Sequence, residues 1–300
     1  MSAPARWSSP VSRIRLDGRD SLRFLHGQSS QALELAKPGD CLATCLISPT
    51  ARMRALALVL VEADGADLVV IAGDGAAVHQ ALDRVLFPAD QVRLGVLQAA
   101  TLVRLIGAPA ATPGLRPRVN LGGGSDQPVL LLQPHDTLPA WAEALPELSP
   151  TQAEQQRLRQ GFPAAPGELN DDTNPFELGL APWVSLTKGC YVGQETLAKL
   201  ATYDGVKQQL RHWRCAGTGP AAAEELSPGT TLTTAAGERA GVITSRLARA
   251  DGLEGLALVR RQALAEPQLL AATAGGEPVA LEIRVPEGFV APPVGAGGGS

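Results

Sequence analysis

Residues 54–73 hold the pattern that most restricts the fold: two apolar runs separated by a polar break, RALALVLVEADGADLVVIAG. Each run has the length and aliphatic content of a β-strand, and the Asp64-Gly65 step between them is typical of a two-residue hairpin turn. Glu62, Asp64 and Asp67 interrupt the apolar stretch, which is therefore too short to span a bilayer. We expect two antiparallel strands joined by a turn at Asp64-Gly65.

The segments on either side of this hairpin predict the rest of an α+β unit. VSRIRLDG indicates a short strand around Ile14 and Leu16, and a helix is expected from Asp20 onward. DCLATCLIS alternates as a further strand, GDGAAVHQALDRVLF predicts a helix that stops at Pro88, and QVRLGVLQAATLVRLIG returns to strands. This order of strands and helices is typical of a ferredoxin-like α+β unit.

The rest of the chain is richer in proline, glycine and alanine. LGGGSDQ is expected to be a plain loop, because it lacks the Gly-x-Gly-x-x-Gly spacing of a nucleotide-binding turn. PVLLLQ predicts a strand, and TQAEQQRLRQGF predicts a helix capped by Thr151. Further on, short strands separated by glycine turns predict a small all-β domain.

The length of the chain favours more than one domain. At about 150 residues for each domain, 300 residues predict two or three units. We expect an α+β region of two interleaved subdomains over 1–205, a β-barrel over 206–290 and a flexible tail over 291–300.

Charge and cysteine usage narrow the class of protein. With 26 Lys and Arg against 30 Asp and Glu, the net charge of −4 gives no general support for nucleic-acid binding. The N-terminal segment lacks the apolar core of a secretory signal, so we expect a cytoplasmic protein whose four cysteines stay reduced. Histidines are scattered and no Cys-x-x-Cys pair occurs, which argues against a permanent metal site.

One cysteine stands in an unusual setting, the segment SLTKGCYVGQETLAKL over 185–200. The residues after Tyr191 predict an amphipathic helix, which would place Cys190 immediately before a helix N-terminus. The helix dipole and the cation of Lys188 would both favour the thiolate form of Cys190. The flanking glycines would let the backbone approach a ligand closely. The alternative is that Cys190 is a small buried side chain, since free cysteines are often buried.

The other cysteines are expected to pack in the core. Cys41 and Cys45 lie on one face of a strand about 13 Å apart at ~3.3 Å for each residue, too far for a shared metal or a disulfide. Cys215 lies beside His212 but lacks a defined third partner, so packing is a simpler interpretation than a catalytic pair.

Segment 188–214 carries a local excess of positive charge. Five cations oppose Glu195 and Asp204, a pattern that fits either an anionic partner or a solvated face. The cations are Lys188, Lys199, Lys207, Arg211 and Arg214.

Four segments together resemble the YgfZ-type folate-binding proteins, relatives of the glycine-cleavage aminomethyltransferases. KGCYVGQE is similar to the family signature, and LDGRDSLRFLHGQSS resembles its N-terminal Gly-x-Asp…Phe-Leu-x-Gly-Gln segment. RLRQGFP resembles its Arg-x-x-x-Gly-x-Pro step, and NPFELGL followed by VSLTKGCY resembles the approach to the signature. The likeness covers residues 11–205.

The resemblance implies a three-lobed arrangement of ferredoxin-like α+β subdomains and a small C-terminal β-barrel around a folate pocket, with Cys190 exposed near its rim. It implies that Cys190 and Lys188 carry the chemistry, and that tetrahydrofolate or a related folate is the bound ligand. The implied ligand-binding residues are Arg157, Gly189, Tyr191, Gly193, Gln194 and Glu195. Iron–sulfur cluster proteins would be its clients, and bacterial relatives also support tRNA modification.

Two departures separate the chain from the aminomethyltransferases that it resembles. Those enzymes carry an acidic pair on the strand after CLISPT, where this chain has MRALA. Their Leu-Glu-Ala-Gly step, whose Glu contacts the pterin, is replaced by Leu-Arg-Gln-Gly, and Arg159 cannot accept hydrogen bonds from pterin N–H groups. We therefore expect a non-enzymatic or redox accessory protein for iron–sulfur enzymes.

Two other functions stay open from the sequence. A folate-dependent one-carbon transferase would need a general acid or base, for which Asp171, Asp172 and Glu177 are the candidates. A scaffold would recognise tRNA or a protein through the basic segment 188–214, with binding that weakens steeply as salt is added.

Overall fold

The computed structural model describes residues 4–107, 128–217, 226–273 and 277–295. The described chain divides into two compact units. The first unit holds residues 4–107, 128–153 and 182–197, and the second holds the other described residues. The predicted LGGGSDQ loop at 121–127 and the last five residues of the predicted tail lie outside the described residues.

The first unit is built on a six-stranded antiparallel sheet in the order β2-β3-β4-β1-β5-β6. The four strands β5-β1-β4-β3 have the ferredoxin-like order predicted from the sequence, and β2 and β6 extend the sheet at its edges. Its elements are β1 (Ala5–Asp17), α1 (Ser21–Gln28), β2 (Cys41–Ile47), β3 (Met53–Glu62), β4 (Gly65–Gly73), α2 (Gly75–Val85), β5 (Arg93–Ile106) and β6 (Val129–Leu132).

The core of this unit lies between the sheet and the helices α1 and α2. Phe24 and Leu25 from α1 and Val78 and Leu82 from α2 pack against the alternate residues of β3, beginning with Ala55. The apolar period of each helix therefore buries one stripe on one face of the sheet, as the sequence predicted.

The predicted hairpin is present, but its turn is shifted by one residue. Glu62 pairs with Gly65, so the turn residues are Ala63 and Asp64, and Gly65 is the first residue of β4. A Cβ on Gly65 would lie 2.0 Å from the carbonyl oxygen of Leu16. Gly65 is therefore required by the close approach of β1 and not by the turn itself.

Strand β1 is much longer than the short strand expected around Ile14 and Leu16. Its 13 residues begin at Ala5, and even Pro10 is in register, opposite Thr101 of β5. The N-terminal part of this strand contains serines and a proline, which are not typical of a strand. Its β structure comes from pairing with β5, and sequence patterns therefore did not predict it.

Two short helical segments and one longer helix follow β6. They are α3 (Ala140–Glu143), α4 (Pro150–Gln160) and the 3₁₀ turn Ala181–Trp183. The cap of α4 is Ser149 and not the expected Thr151: Gln152 N–H donates to Ser149 Oγ, and Ser149 N–H donates to Gln152 Oε1. This reciprocal pair is a capping box, and Pro150 takes the first helical position, where a missing N–H costs nothing.

The second unit contains a closed six-stranded barrel in the order β10-β7-β12-β11-β8-β9. The barrel confirms the all-β prediction for the C-terminal part of the chain, and its interior is filled around Trp213, Leu232 and Leu281. Its strands are β7 (Gln208–Ala216), β8 (Thr231–Thr233), β9 (Arg239–Arg249), β10 (Gly252–Arg260), β11 (Gln268–Ala271) and β12 (Val279–Arg284), with a 3₁₀ turn at Arg261–Ala263. Within the described ranges, no helix has the length and apolar character needed to cross a membrane.

Candidate functional site

The cysteine segment forms a short non-helical strap, residues 188–192, which we call the signature strap, followed by helix α5 (Gln194–Thr202). The expected start of this helix just after Tyr191 was too early. Gly193 has φ +81° and turns the chain, and a Cβ there would lie 2.7 Å from both Ile47 Cδ1 and the Ser48 carbonyl oxygen. Cys190 therefore lies four residues before the first helical residue and is not at a helix N-terminus.

The signature strap is tied at both ends to the last turn of α1 and the residues that follow it. The Lys188 ammonium donates to the carbonyl oxygens of His26, Ser29 and Gln31, with the last two contacts at 2.6 and 2.8 Å. At the other end, Val192 N–H donates to the Gly27 carbonyl at 3.2 Å. These contacts fix the backbone on both sides of Cys190.

Lys188 is 9% exposed, and its Nζ lies 4.3 Å from the centre of the Tyr191 ring. Burial lowers the pKa of Lys188 to about 7, while its three carbonyl acceptors favour the charged form. All three N–H donors of the ammonium are used by these carbonyls of α1 and the following loop. The structure thus gives Lys188 a tethering role, and its expected role in keeping Cys190 ionised stays a prediction.

The thiol of Cys190 is exposed, and it differs in this from the other three cysteines. Cys45 is buried, and burial raises the pKa of its thiol to about 12. Cys215 is also buried, which confirms the packing interpretation, whereas Cys41 is only half-buried. Cys190 is therefore the thiol that a reagent or partner reaches most readily.

Tyr191 and Gln194 hold the inner side of the signature strap. Tyr191 is 8% exposed, and burial raises the pKa of its phenol. Its Oη is buried and has no hydrogen-bond partner among the residues that the structure describes. Gln194 Nε2 donates to the Lys188 carbonyl at 3.0 Å and so closes the strap onto the helix start. Gly189 and Glu195 are both exposed. These four predicted ligand residues thus cluster around Cys190.

His26 is a site residue that the sequence analysis missed. Its Nδ1 accepts hydrogen bonds from the N–H groups of Leu33 at 3.2 Å and Glu34 at 3.1 Å. Its Nε2 lies 4.0 Å from the position that a Cβ on Gly189 would occupy. An open cavity of about 490 Å³ is lined by His26, Lys188 and eight other residues of the first unit. In the sequence, only the FLHGQ segment at the end of α1 could have indicated that His26 belongs to the site.

Arg157 belongs to the second unit, whereas the other predicted ligand residues belong to the first. Its guanidinium makes five hydrogen bonds, which matches its five N–H donors. Nε and Nη2 hold the Glu154 carboxylate at 2.8 and 2.7 Å, and the other partners are the Phe162 carbonyl, Glu168 and Ser245. It lines a cleft of about 650 Å³, but these bonds leave no donor for the folate that the sequence assigned to it.

The basic segment 188–214 does not present all of its charge to solvent. Lys188 and Arg211 are buried, and Arg211 stacks over the Phe289 ring at 5.1 Å. Lys199 and Lys207 are exposed. Arg214 is half-exposed and forms an ion pair with Glu254 at 3.0 Å, so part of the predicted positive charge is neutralised within the chain.

The three candidate acids for transferase chemistry have different surroundings. Asp171 and Asp172 are exposed, whereas Glu177 is 5% exposed and accepts a hydrogen bond from Asn174 N–H at 3.0 Å. Glu177 therefore stabilises the local turn.

Residues 214–289 match the family model described as the CAF17 C-terminal beta-barrel domain. The chain is 29% identical to a chloroplastic protein of Arabidopsis thaliana that its name describes as a candidate transferase, over 85% of this chain and 65% of that protein. It is 32% identical to the human mitochondrial iron–sulfur cluster assembly factor IBA57, over 44% of this chain and 36% of that protein. The chain thus spans less than two thirds of either relative.

The fold is that of a glycine cleavage system aminomethyltransferase. The solved structure of aminomethyltransferase T from Bartonella henselae superposes with a TM-score of 0.72, covering 96% of this chain and 87% of that one at 18% identity. The chain therefore has the aminomethyltransferase-like α+β fold with a C-terminal barrel of the CAF17 type. These comparisons show the aminomethyltransferase-like fold and the barrel type, and the YgfZ-type assignment stays a prediction.

Proposed function

We propose that this protein is an accessory factor for the assembly or repair of iron–sulfur cluster enzymes, and that it acts through the reactive thiol of Cys190. The observation that carries the proposal is an exposed cysteine at the centre of a strap whose backbone is tied down at both ends. A mobile surface cysteine would need no such support. The buried Lys188 donates hydrogen bonds to three carbonyls and so holds the strap in place. This supports a function that depends on the position of the Cys190 thiol.

The similarity to a human protein named as an iron–sulfur cluster assembly factor supports this proposal. The clients would be iron–sulfur cluster proteins, and the YgfZ-type likeness adds tRNA-modifying enzymes as one class of client. A cytoplasmic location is part of the proposal because Cys190 must remain reduced. The two relatives are named as chloroplastic and mitochondrial, so their names do not support a cytoplasmic location in particular.

A folate-type ligand forms the second half of the proposal. One observation fits such a ligand: the buried Tyr191 Oη has no hydrogen-bond partner within the described part of the chain, and a polar group of a ligand would satisfy it. Tyr191, Gln194 and the exposed backbone at Gly189 would hold the ligand, and Arg157 would not. Tetrahydrofolate supplies a reduced pterin that carries one-carbon units and is sensitive to oxidants.

Replacement of the thiol tests the proposal in cells. In cells that depend on this protein, Cys190→Ala is expected to lower the activity of iron–sulfur enzymes under oxidative stress to the level of the deletion. Cys41→Ser, a change at a half-buried cysteine, is the matched control and should retain the activity. Equal amounts of folded protein are confirmed by immunoblot, and unchanged activities in Cys190→Ala would refute the thiol role.

A one-carbon transferase is the second candidate, favoured by the fold and by the name of the plant relative. The acidic pair expected on β3 is absent, since that strand begins with Met53-Arg54-Ala55. Transfer of a one-carbon unit from an aminomethyl donor to tetrahydrofolate by the purified protein would support this function in place of the first.

A further inference from the structure

The cleft beside Arg157 has no part in the function proposed above. The described residues that line it all belong to the second unit, and it lies between the loop after α4 and strands β9 and β10 of the barrel. Its volume of about 650 Å³ is typical of a small-molecule site. The apolar part of its wall includes Ala164, Pro166, Pro228, Val242 and Leu258.

A buried network of polar groups holds the walls of this cleft together. Glu168 is fully buried, and its carboxylate accepts hydrogen bonds from Ser245 Oγ at 2.6 Å and from Ala164 N–H at 3.0 Å. Arg157 joins the network by donating to Glu168 at 3.3 Å and to Ser245 at 3.0 Å. Helix α4, the loop after it and strand β9 are therefore fixed to one another, and the cleft is preorganised.

Strand β9 has a bulge at Thr244, on the wall of the cleft. Its neighbours Ile243 and Ser245 pair with two consecutive residues of β10, so Thr244 is the extra residue of β9. A Cβ on Gly167 would lie 2.5 Å from the Thr244 carbonyl oxygen, so the loop after α4 lies directly against the bulge. Bulges redirect side chains and are common beside binding sites.

The hydroxyl of Thr244 is the feature that indicates a ligand. Thr244 lines the cleft and is 6% exposed, and across the four described ranges its buried Oγ1 has no hydrogen-bond partner. The neighbouring Ser245 hydroxyl, in contrast, both donates and accepts. A buried hydroxyl without a partner costs free energy and is rare in folded proteins. A ligand in the cleft is placed to supply the missing hydrogen bond.

The charges of the cleft favour an uncharged ligand. The described lining holds three ionisable side chains, Glu154, Arg157 and Arg246. Glu154 and Arg157 form a bidentate pair with contacts of 2.8 and 2.7 Å, and Arg246 also has an interaction within the protein. A charged ligand would lose its hydration in this cleft without gaining a free counter-charge.

We propose that this cleft is a second binding site, which takes a small uncharged molecule with an apolar body and a carbonyl or amide group. The apolar wall holds the body of the molecule, and the Thr244 hydroxyl donates to its carbonyl oxygen or accepts from its amide N–H. The site is additional to the proposed thiol function and does not depend on Cys190.

Benzamide, benzoate and benzylamine test the ligand class, because each carries one benzene ring and they differ in charge. Binding to the purified full-length protein is measured by NMR titration of the ¹⁵N-labelled chain. We expect benzamide to bind with a Kd of about 1 mM, and the two charged probes to bind about tenfold more weakly. Tighter binding of either charged probe than of benzamide would overturn the proposed class.

Thr244→Val removes the hydroxyl and keeps a β-branched side chain. We expect the affinity for benzamide to fall about fivefold, while the thermal midpoint stays the same or rises because an unpartnered buried hydroxyl is removed. A purely structural hydroxyl would give the reverse, a lower midpoint and an unchanged affinity, and would overturn the inference. Thr231→Val, at a half-buried threonine of β8 outside the cleft lining, is the matched control and should leave the affinity unchanged.

Val242→Phe fills the cleft from the barrel side and should abolish benzamide binding in a protein that is folded by circular dichroism. Absence of benzamide binding to the wild type, or equal binding to Val242→Phe, would overturn the inference. If Val242→Phe does not fold, the comparison of Thr244→Val with the wild type decides. None of these variants changes Cys190, so failure of this inference is distinguishable from failure of the proposed function.

Discussion

Lys188 shows how one side chain holds the candidate site together. Its ammonium donates hydrogen bonds to three backbone carbonyl oxygens that lie about 160 positions earlier in the chain. The separations are 162, 159 and 157 residues. Proximity in sequence to Cys190 suggested that its charge serves the thiol. The real partners of Lys188 were invisible to any local pattern, because a pattern cannot indicate which distant carbonyls a lysine will reach.

Lys188→Met is expected to destabilise the first unit. The substitution keeps the aliphatic stem but leaves three carbonyls without their donor, at a cost of about 3 kcal/mol. Urea denaturation followed by fluorescence measures the change, and Lys207→Met at an exposed lysine is the control. A loss no larger than that of the control would show that the carbonyls find water and that the tether contributes nothing.

At the scale of elements, the turn at Gly193 determines where α5 begins. The apolar period predicted the helix itself, and the structure confirms a nine-residue helix with Leu197 fully buried. Its first residue was misjudged because contact with Ile47 and Ser48 forces the left-handed turn, and these residues lie on β2 and just after it. Helix boundaries set by tertiary contact cannot be found in a local sequence window.

Gly193→Ala tests the turn. The substitution combines a left-handed alanine with a Cβ 2.7 Å from the Ser48 carbonyl oxygen, and we expect a loss of stability of about 3 kcal/mol. Gly39→Ala is the matched control in the same unit, since Gly39 also has a positive φ, +96°, but nothing lies within 4 Å of its Cβ position. The control should lose about 1 kcal/mol. Equal losses in a thermal melt would mean that strain alone, without the contact, explains the glycine.

The difference between local patterns and contacts with distant residues also explains which strands of the sheet and the barrel were predicted. The two continuous apolar runs of β3 and β4 and the glycine-separated strands of the barrel were strong local signals, and both architectures were predicted. The long strand β1 was not, because Trp7-Ser8-Ser9-Pro10 adopts β structure only through its pairing with β5. The sequence therefore predicted the elements that carry a clear apolar pattern or flanking turn residues, and missed the extent of a strand that depends on a distant partner.

At the scale of the whole molecule, the fold shows which proteins the chain resembles, whereas the residues of the candidate site indicate how it differs from them. The aminomethyltransferase fold is established by a TM-score of 0.72, but 18% identity transfers no activity. What distinguishes this chain is local: the exposed thiol on its tethered strap, the fully engaged Arg157, and a β3 strand without the enzymes' acidic pair. The candidate cysteine could be selected from sequence because its polar, glycine-flanked setting is unusual for a core residue. His26 could not, because only the folded chain brings it to the strap.

A titration of the purified protein with tetrahydrofolate under anaerobic conditions, with Cys190 alkylation followed in the same samples, tests the proposed role most directly. We predict saturable binding that slows alkylation in proportion to occupancy, because a ligand held at Tyr191 and Gly189 covers the strap. Cys190→Ala should bind the folate as the wild type does, since the thiol is not needed to hold it. Absence of saturable binding, or binding that leaves the alkylation rate unchanged, would contradict a site in which ligand and thiol act together.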